Sequence, residues 1–322
     1  MDIIEAQAQK IKDDLLTSFE VESQKLIEAI SIDHTKDKET NLIYHYTDDK
    51  GVWGILSSGK FWINSVFNFN DPSEISHGLS IACNVFKHLA SQLTAFDVEF
   101  VENFTSLTRR GLRDIAKFHA LSFSFRDDDL AQWRSYANDG CGFALGLNKK
   151  KVEDFITSQT NITIGGFPIQ YTTKKLELFN TQLFIHLRPA LTALQKLNLQ
   201  QPLLNQVLIG ISTSLASRVI EVSTHFKHEA YESESEFRVL EVGSLYPSQN
   251  ISQHRLKESE VVYYTELDWR NQMPDVIETI TIGPGADKDK AVRYVEDCLK
   301  INQIAGRVLI KNSAIPYRPV TK

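Results

Sequence analysis

The chain has 322 residues, of which 42% are hydrophobic and 24% are charged, as in ordinary soluble globular proteins. Its formal charge is −6, and residues 1–40 hold ten acidic and five basic side chains, so the remainder is nearly neutral. A general nucleic-acid binder needs a strong basic excess, so the charge excludes that class.

The cysteines and the hydropathy pattern bear on the compartment. Cys83, Cys141 and Cys298 are far apart and show no zinc-ligand spacing, which favours a reducing cytosol. The acidic start lacks the basic flank and apolar core of a signal peptide. No stretch approaches the roughly eighteen apolar residues that a membrane span needs. The sequence therefore predicts a cytoplasmic protein with no membrane partner and no metal.

Apolar residues recur at helical spacing from Ile4 to Ile30 and predict one long N-terminal helix. We assign residues 1–40 to an amphipathic helical segment that caps the core or contacts a partner, including a second copy of the chain. We assign residues 41–322 to a single α+β catalytic-type domain. Helical insertions are expected in it at about 76–117 and 173–228, the second broken near Pro202 because proline cannot continue a helix.

The remaining elements alternate irregularly along the chain. Strands are predicted at 42–46, 60–65, 119–125, 141–148, 167–172, 236–242, 260–267, 276–283 and 306–312. Further helices are predicted at 48–59, 130–137 and 287–304, with Gly59 as a C-cap and Asp287 as an N-cap. This mixture predicts an α+β fold with a mixed, mostly antiparallel sheet. The chain contains no GxGxxG or GxxxxGK[ST] motif, which argues against Rossmann and P-loop folds.

The stretch "ESESEFRVLEV" contains two closely spaced carboxylates. If it is a strand, Glu234, Glu236 and Arg238 lie on one face and Phe237 lies on the other. A solvated strand face with a partial salt bridge explains the pattern as well as a functional acid pair does. Two adjacent acids repel, so one carboxyl pKa rises unless a ligand or cation compensates.

Three other stretches carry candidate site residues. In "SFSF", Ser122 and Ser124 share a strand face. In "QWRSYA", Trp133, Arg134 and Tyr136 either form the edge of a pocket or belong to the core. In "YHYT", His45 and Thr47 alternate with Tyr46 along the strand, and a structural histidine is the more common case. In "NDPSE", Asn70, Asp71 and Glu74 form a polar turn that is either a cleft rim or a helix-capping loop.

The order of these motifs, together with "ITIGPGAD" and "SAIPYR", resembles a bacterial family of unknown function, the one numbered twenty-nine seventy-one. The resemblance covers roughly residues 42–318. Members of that family are distantly similar to ADP-ribosyltransferases, and some accompany toxin, abortive-infection or phage-defence systems. The resemblance implies NAD as substrate and an unknown acceptor, and an antitoxin as a further partner.

The resemblance also implies roles for single residues. His45 would bond a ribose hydroxyl of NAD, and Tyr136 or Tyr46 would stack on nicotinamide. The remaining predicted NAD contacts are Thr47, Ser122, Ser124, Trp133, Arg134 and Arg238. In the late E-x-E pattern, Glu236 would be the catalytic acid and Glu234 would address the acceptor. Tyr46 stands where many members with a first-strand histidine have glycine.

Two other classes of function compete with this interpretation. In a metal-dependent nuclease, Asp71, Glu74, Glu234 and Glu236 would gather Mg²⁺. The sequence shows no basic substrate channel and no lysine beside the acid pair, which argues against that class. In a non-catalytic binding module, the same cleft would sense a nucleotide without turning it over.

Overall fold

The chain folds into a mixed, mostly antiparallel sheet with helices on both faces, which confirms the predicted α+β class. The structure, a computed structural model, describes residues 3–34, 41–69, 73–91, 94–110, 117–159, 163–243, 253–257 and 259–319. The strands are β1 (Leu42–Thr47), β2 (Lys60–Ser65), β3 (Lys117–Ser124), β4 (Phe143–Asn148), β5 (Thr163–Pro168), β6 (Glu236–Gly243), β7 (Gln253–Lys257), β8 (Glu260–Asp268), β9 (Ile277–Ile282) and β10 (Leu309–Asn312). The helices are α1 (Ile3–His34), α2 (Asp49–Ser58), α3 (Ser73–Ala90), α4 (Ala95–Arg110), α5 (Leu130–Tyr136), α6 (Lys149–Ser158), α7 (Lys174–Lys196), α8 (Gln201–Ser223), α9 (Trp269–Gln272) and α10 (Lys288–Ile301). Short 3₁₀ turns cover Val66–Asn68 and Glu229–Glu234.

The sheet branches at β3. Along one edge β3 pairs with β6 over its whole length, and β6 continues to β5. On the other edge, the end of β3 meets β1 (Ser124 opposite Tyr44), whereas its first half meets β2 (Ala120 opposite Asn64). From β1 the sheet runs to β4, β9 and β10, and from β2 to β8 and β7. All these pairings are antiparallel except β9–β10. The divergence of β1 and β2 leaves the middle of β3 unpaired on this edge.

A helical layer covers one face of the sheet. Helices α1, α3, α4, α7 and α8 pack together, and their buried apolar side chains form one core with Ala120 of β3 and Leu240 of β6. The N-terminal helix belongs to this layer, because Ala8, Leu15 and Phe19 are buried in the same core. Its apolar side therefore packs on the chain's own helices.

Among the described helices, α8 is the one long and apolar enough to cross a bilayer by length and composition alone. Its buried side chains, Ile211 and Leu215 among them, belong to the core of the helical layer. Core packing accounts for the apolar residues on the buried side of α8.

The opposite face of the sheet carries a second core. Helices α2, α6, α9 and α10 contribute to it together with alternate residues of the strands, including Phe123, Leu145 and Phe237. Both caps expected from the sequence are present. Gly59 has φ +72° at the C-terminus of α2, and the Asp287 side chain accepts a hydrogen bond from the Lys290 amide at the start of α10.

Several elements differ from the sequence-based expectations. In the described part of 76–117, the predicted helix is divided into α3 and α4, and Lys117 already begins β3. Helix α6 and strand β7 were not predicted; the Asn148 side chain caps the start of α6. The strand predicted at 167–172 lies earlier, at β5. The expected break in 173–228 is confirmed, with Pro202 in the first turn of α8.

A single carboxylate fixes the loop that precedes α5. Asp128 Oδ1 accepts hydrogen bonds from Trp133 Nε1 and Ser313 Oγ, both at 2.7 Å, and Asp128 Oδ2 accepts one from the Ala314 amide at 2.8 Å. Trp133 is fully buried and packs edge-on against Tyr46, with ring centroids 4.8 Å apart. Asp128 therefore joins α5 to the segment that follows β10.

Replacing Asp128 with alanine should lower the free energy of unfolding by about 2–3 kcal/mol, because the buried indole N–H of Trp133 loses its acceptor. Denaturant titration followed by far-UV circular dichroism measures the change. Asp154→Ala is the matched control, since Asp154 is 63% exposed and pairs only with the exposed Lys150; it should change stability by less than about 0.5 kcal/mol. Equal stability of the two variants would contradict this role of Asp128.

Candidate functional site

A cavity of about 360 Å³ opens where β1 and β2 diverge from β3. Its volume falls in the range of small-molecule sites. It lies beside the helical layer and also contacts α5 and the turn that ends at Glu234. The polar and charged residues that line it include His45, Ser122, Tyr136, Lys227, Glu234, Glu236 and Arg255.

Glu236 lies at the base of this cavity and is almost completely buried. Its Oε1 accepts hydrogen bonds from Ser122 Oγ at 2.6 Å and from Arg238 Nε at 2.7 Å. These contacts follow from the antiparallel register of β3 and β6, which sets Ser122 opposite Arg238 and Ser124 opposite Glu236. The backbone amide of Glu236 donates to Tyr171 Oη at 2.9 Å. The carboxylate is thus held in one orientation by two strands.

The second oxygen of the same carboxylate differs from the first. Glu236 Oε2 is buried and accepts no hydrogen bond from any described residue. The ammonium of Lys227 lies 3.5 Å away, close enough for an ion pair. A buried oxygen that accepts no hydrogen bond is expected to bind a ligand that offers it a donor.

Lys227 links Glu236 to Glu234. Its Nζ is 2.6 Å from Glu234 Oε2, and Tyr136 Oη donates to Glu234 Oε1 at 2.9 Å. Lys227 is itself buried, with Nζ 4.7 Å from the centre of the Tyr231 ring. Both glutamates of the E-x-E pattern therefore meet one cation at the cavity wall.

Glu234 lies just before β6, whose start at Glu236 agrees with the strand predicted at 236–242, so the two glutamates do not share a strand face. Strand β6 begins at Glu236, Ser235 has φ +46°, and Glu234 ends the preceding 3₁₀ turn. Its carbonyl accepts hydrogen bonds from Ser124 Oγ at 2.7 Å and Gln132 Nε2 at 3.3 Å, which hold the backbone out of the sheet. Acidic residues are poor strand formers, and here these side-chain contacts replace strand pairing.

Burial of Glu236 by itself would raise its carboxyl pKa. Arg238 and Lys227 outweigh this effect, together with the hydrogen bonds from Arg238 and Ser122, and the net pKa lies below its ordinary value of 4.5. Arg238 is also fully buried and donates from Nη1 to the Thr224 carbonyl at 2.9 Å, at the end of α8. Glu236 is therefore ionised at neutral pH.

His45 lies in the gap between β1 and β3. Its Nδ1 is 3.2 Å from the Ser122 carbonyl oxygen, which can only accept, so Nδ1 carries the proton. The ring meets Phe61 and Phe123 edge-on, with centroids 5.5 and 5.8 Å apart. Burial lowers the His45 pKa, so the imidazole is neutral and Nε2 is the ring nitrogen left to accept a hydrogen bond. His45 is also one of the residues that line the cavity.

The structure brings seven of the predicted site residues to the cavity: His45, Tyr46, Ser122, Ser124, Tyr136, Glu234 and Glu236. Of the two candidate stacking tyrosines, Tyr46 is buried, and its Oη is bonded to backbone of the loop before α5. Tyr136 is 39% exposed. The exposed ring of Tyr136 is therefore the one more accessible to a ligand.

Four other predicted residues lie outside this lining. Arg238 is behind Glu236, and Trp133 is in the small core beside Tyr46. Thr47 ends β1 opposite Phe143, and Arg134 is 61% exposed with its Nε 3.8 Å from Asp139. The expected pairing of Arg238 with one of the glutamates is confirmed at Glu236.

The predicted cleft rim cannot be placed from the structure. Asn70 and Asp71 lie outside the described residues. Glu74 falls in the first turn of α3, and its side chain is likewise outside the description. Their assignment to the rim stays a prediction.

Sequence reasoning missed the cationic part of the site. Lys227 lies beside both glutamates, which overturns the expectation that no lysine would do so. The sequence predicts only a strand around Tyr171 and carries no signal that would point to Arg255 as a site residue. Lys227 precedes Glu234 by seven residues, and only the fold of the intervening 3₁₀ turn brings them together, so no local pattern could have shown it.

Six residues that line the cavity, from Gln132 to Glu236, fall within one segment of the chain that has a recognised counterpart. Residues 132–239 match the family described as "Protein of unknown function (DUF2971)". The match covers about a third of the chain and includes both glutamates, whereas His45 and Ser122 precede it. It supports the family resemblance found in the sequence, and the family's description gives no activity. Neither the curated proteins nor the solved structures contain a match.

Arg238→Ala should lower the free energy of unfolding by about 3–5 kcal/mol, because it leaves the buried Glu236 without its closest cation. Urea denaturation measures the change. Arg307→Ala is the matched control, since Arg307 is 62% exposed and pairs with Asp275 at the surface; it should have little effect. A stable Arg238→Ala protein would show that the pair does not hold the carboxylate.

Glu236 should also contribute a pH-dependent part of the stability. Its pKa is lower in the folded than in the unfolded chain, so the contribution is present above about pH 4.5 and is lost as the pH falls through the folded pKa. The free energy of unfolding of the wild type should therefore fall more steeply below pH 4.5 than that of Glu236→Gln. Parallel curves for the two proteins would rule out a lowered pKa.

Proposed function

We propose that this chain is an NAD-dependent ADP-ribosyltransferase-like enzyme that cleaves the nicotinamide–ribose bond and transfers ADP-ribose to an acceptor. The observation that carries the proposal is the state of Glu236. It is an ionised, oriented carboxylate at the base of a cavity, with one oxygen engaged by Ser122 and Arg238 and the other without a hydrogen bond among the described residues.

The proposed reaction makes use of that second oxygen. As the bond between nicotinamide and ribose breaks, nicotinamide leaves with the bonding electron pair and positive charge develops on the anomeric carbon, as in glycoside hydrolysis. A fixed carboxylate that accepts a hydrogen bond from the adjacent ribose hydroxyl stabilises this charge. Because Oε2 is buried, the hydroxyl reaches it once the Lys227 ammonium moves, and Glu234 gives that ammonium a second partner.

Other residues of the cavity suit the rest of the ligand. The neutral His45 offers Nε2 as an acceptor for a second ribose hydroxyl. The Tyr136 ring is exposed at the cavity and anchored through its Oη to Glu234, so it can stack on the nicotinamide ring. The acceptor nucleophile, whether water, a hydroxyl or an amine, adds to the anomeric carbon and releases a proton near Glu234.

The competing metal-dependent nuclease has less support. Glu236 Oε1 is already engaged by Arg238, and the ammonium of Lys227 lies where a cation bridging both glutamates would sit. Among the described residues, no group of three or more His, Cys, Asp or Glu side chains is arranged to hold a metal. A role in toxin or phage-defence systems stays an expectation from the family resemblance.

Glu236→Gln should reduce nicotinamide release from NAD by about 10²–10³-fold, because the transition-state charge loses its carboxylate. Glu234→Gln should impair labelling of the acceptor more than NAD hydrolysis, because water needs no positioning by that side chain. The measurement is nicotinamide release by chromatography, with transfer of labelled ADP-ribose to cell extract assayed in parallel. Glu153→Gln, a change on the exposed side of α6, is the control.

Folding must be checked for the Glu236 variant, since glutamine leaves Arg238 and Lys227 less well compensated. Assays therefore belong at a temperature where circular dichroism shows native structure. Wild-type release by a folded Glu236→Gln protein would reject the catalytic assignment. If the wild type binds NAD but releases no nicotinamide with any extract, the binding-module interpretation replaces the transferase. If Mg²⁺, and not NAD, raises the melting temperature of the protein, the nuclease is favoured.

A further inference from the structure

Arg255 lines the cavity from β7, the strand at one end of the sheet. It lies on β7, four strands from Glu236, and antiparallel register keeps both residues on the same face. The directly opposed pairs that connect them are Glu236–Ser124, Ala120–Asn64, Asn64–Tyr264 and Val262–Arg255. Four strand spacings correspond to about 19 Å along the sheet. Both residues line one cavity, so a ligand that fills it can contact both.

The guanidinium of Arg255 is held by aromatic rings. Its central carbon lies 4.9 Å from the centre of the Trp62 ring, and Trp62 packs on Tyr264 with centroids 4.7 Å apart. Such stacking fixes the plane of the guanidinium and leaves its edge free to donate hydrogen bonds. Trp62 is 43% exposed, so this aromatic support is open to the solvent beside the cavity.

No acidic side chain neutralises Arg255 in the described part of the chain. Its Nε is buried and has no hydrogen-bond partner there. The nearest acidic residue by register is Glu260, which lies opposite Lys257 at the exposed end of β8 and forms no ion pair with Arg255. Glu266, opposite Trp62, is engaged by Lys60 at 2.5 Å. By contrast, the other cation of the cavity lining, Lys227, is bound to both glutamates. The cavity therefore has an acid-rich end and a cationic end.

We infer that Arg255 binds a phosphate group of the ligand, and that Trp62 fixes the guanidinium in the plane needed for paired hydrogen bonds. A planar guanidinium matches two phosphate oxygens at once, which makes it selective for phosphate over a neutral group. The ligand class is a nucleotide whose ribose lies at Glu236 and whose phosphates extend towards β7. Only the placement of the ribose at Glu236 rests on the proposed function; the phosphate contact rests on Arg255 and Trp62.

The test compares Arg255→Gln with the wild type by isothermal titration calorimetry. Arg255→Gln should weaken ADP-ribose and ADP binding by about 10–100-fold, the range expected for lost charged hydrogen bonds. Nicotinamide riboside, which has no phosphate, should bind both proteins within about two-fold, since it makes no such bonds. Arg307→Gln controls for loss of a positive charge elsewhere. Trp62→Ala should weaken ADP binding, whereas Trp62→Phe, which retains a ring, should keep most of it.

The outcomes separate the inference from the proposed function. Equal ADP-ribose affinity in wild type and a folded Arg255→Gln protein would overturn the phosphate assignment, even if NAD is cleaved. Arg255-dependent binding of ADP or inorganic pyrophosphate without NAD cleavage would uphold the assignment and reject the transferase. If the wild type binds none of ADP-ribose, ADP and pyrophosphate at millimolar concentration, the phosphate assignment is wrong.

Discussion

A carboxylate stays ionised inside a protein only if cations and hydrogen-bond donors replace the water that it loses, and Glu236 receives this compensation from several elements at once. Ser122 comes from β3, Arg238 from β6 itself, and Lys227 from the segment after α8. Arg238 in turn binds the carbonyl of Thr224 at the end of α8. The position of the helical layer relative to the sheet and the ionisation of Glu236 therefore depend on one set of contacts.

The branch in the sheet supplies the space that this network faces. If β1 and β2 paired with β3 along a common edge, the middle of β3 would be closed by backbone hydrogen bonds. Instead, β1 meets only the end of β3 and β2 only its first half. His45 occupies the gap and bonds the Ser122 carbonyl through its side chain. The cavity thus follows from strand geometry. Polar side chains such as His45 then bond backbone groups of β3 that have no strand partner on this edge.

The sequence predicts the fold class, most of the elements and several residues of the site, because these depend on local periodicity or on the family resemblance. The alternation of "SFSF" and "EFRVL" predicts that Ser122 and Ser124 share one strand face and that Glu236 and Arg238 share another, and the β3–β6 register brings these faces together. Lys227 and Arg255 could not be predicted, because they reach the cavity through the topology of α8 and of β7–β8. The strand face that would join Glu234 to Glu236 does not form, because contacts from Ser124 and Gln132 hold the Glu234 backbone outside the sheet.

The contacts of Asp128 join parts of the chain that the ribosome makes at very different times. The loop before α5 is held by Ser313, which lies 185 positions later in the chain, and by the amide of Ala314. Helix α5 carries Tyr136, whose hydroxyl bonds Glu234 at the cavity. The contacts between Asp128 and this later segment can therefore form only after the ribosome has released residues 313 and 314. A nascent chain that already contains every residue lining the cavity, the last of which is Val262, would still lack these two of the contacts that position its aromatic wall.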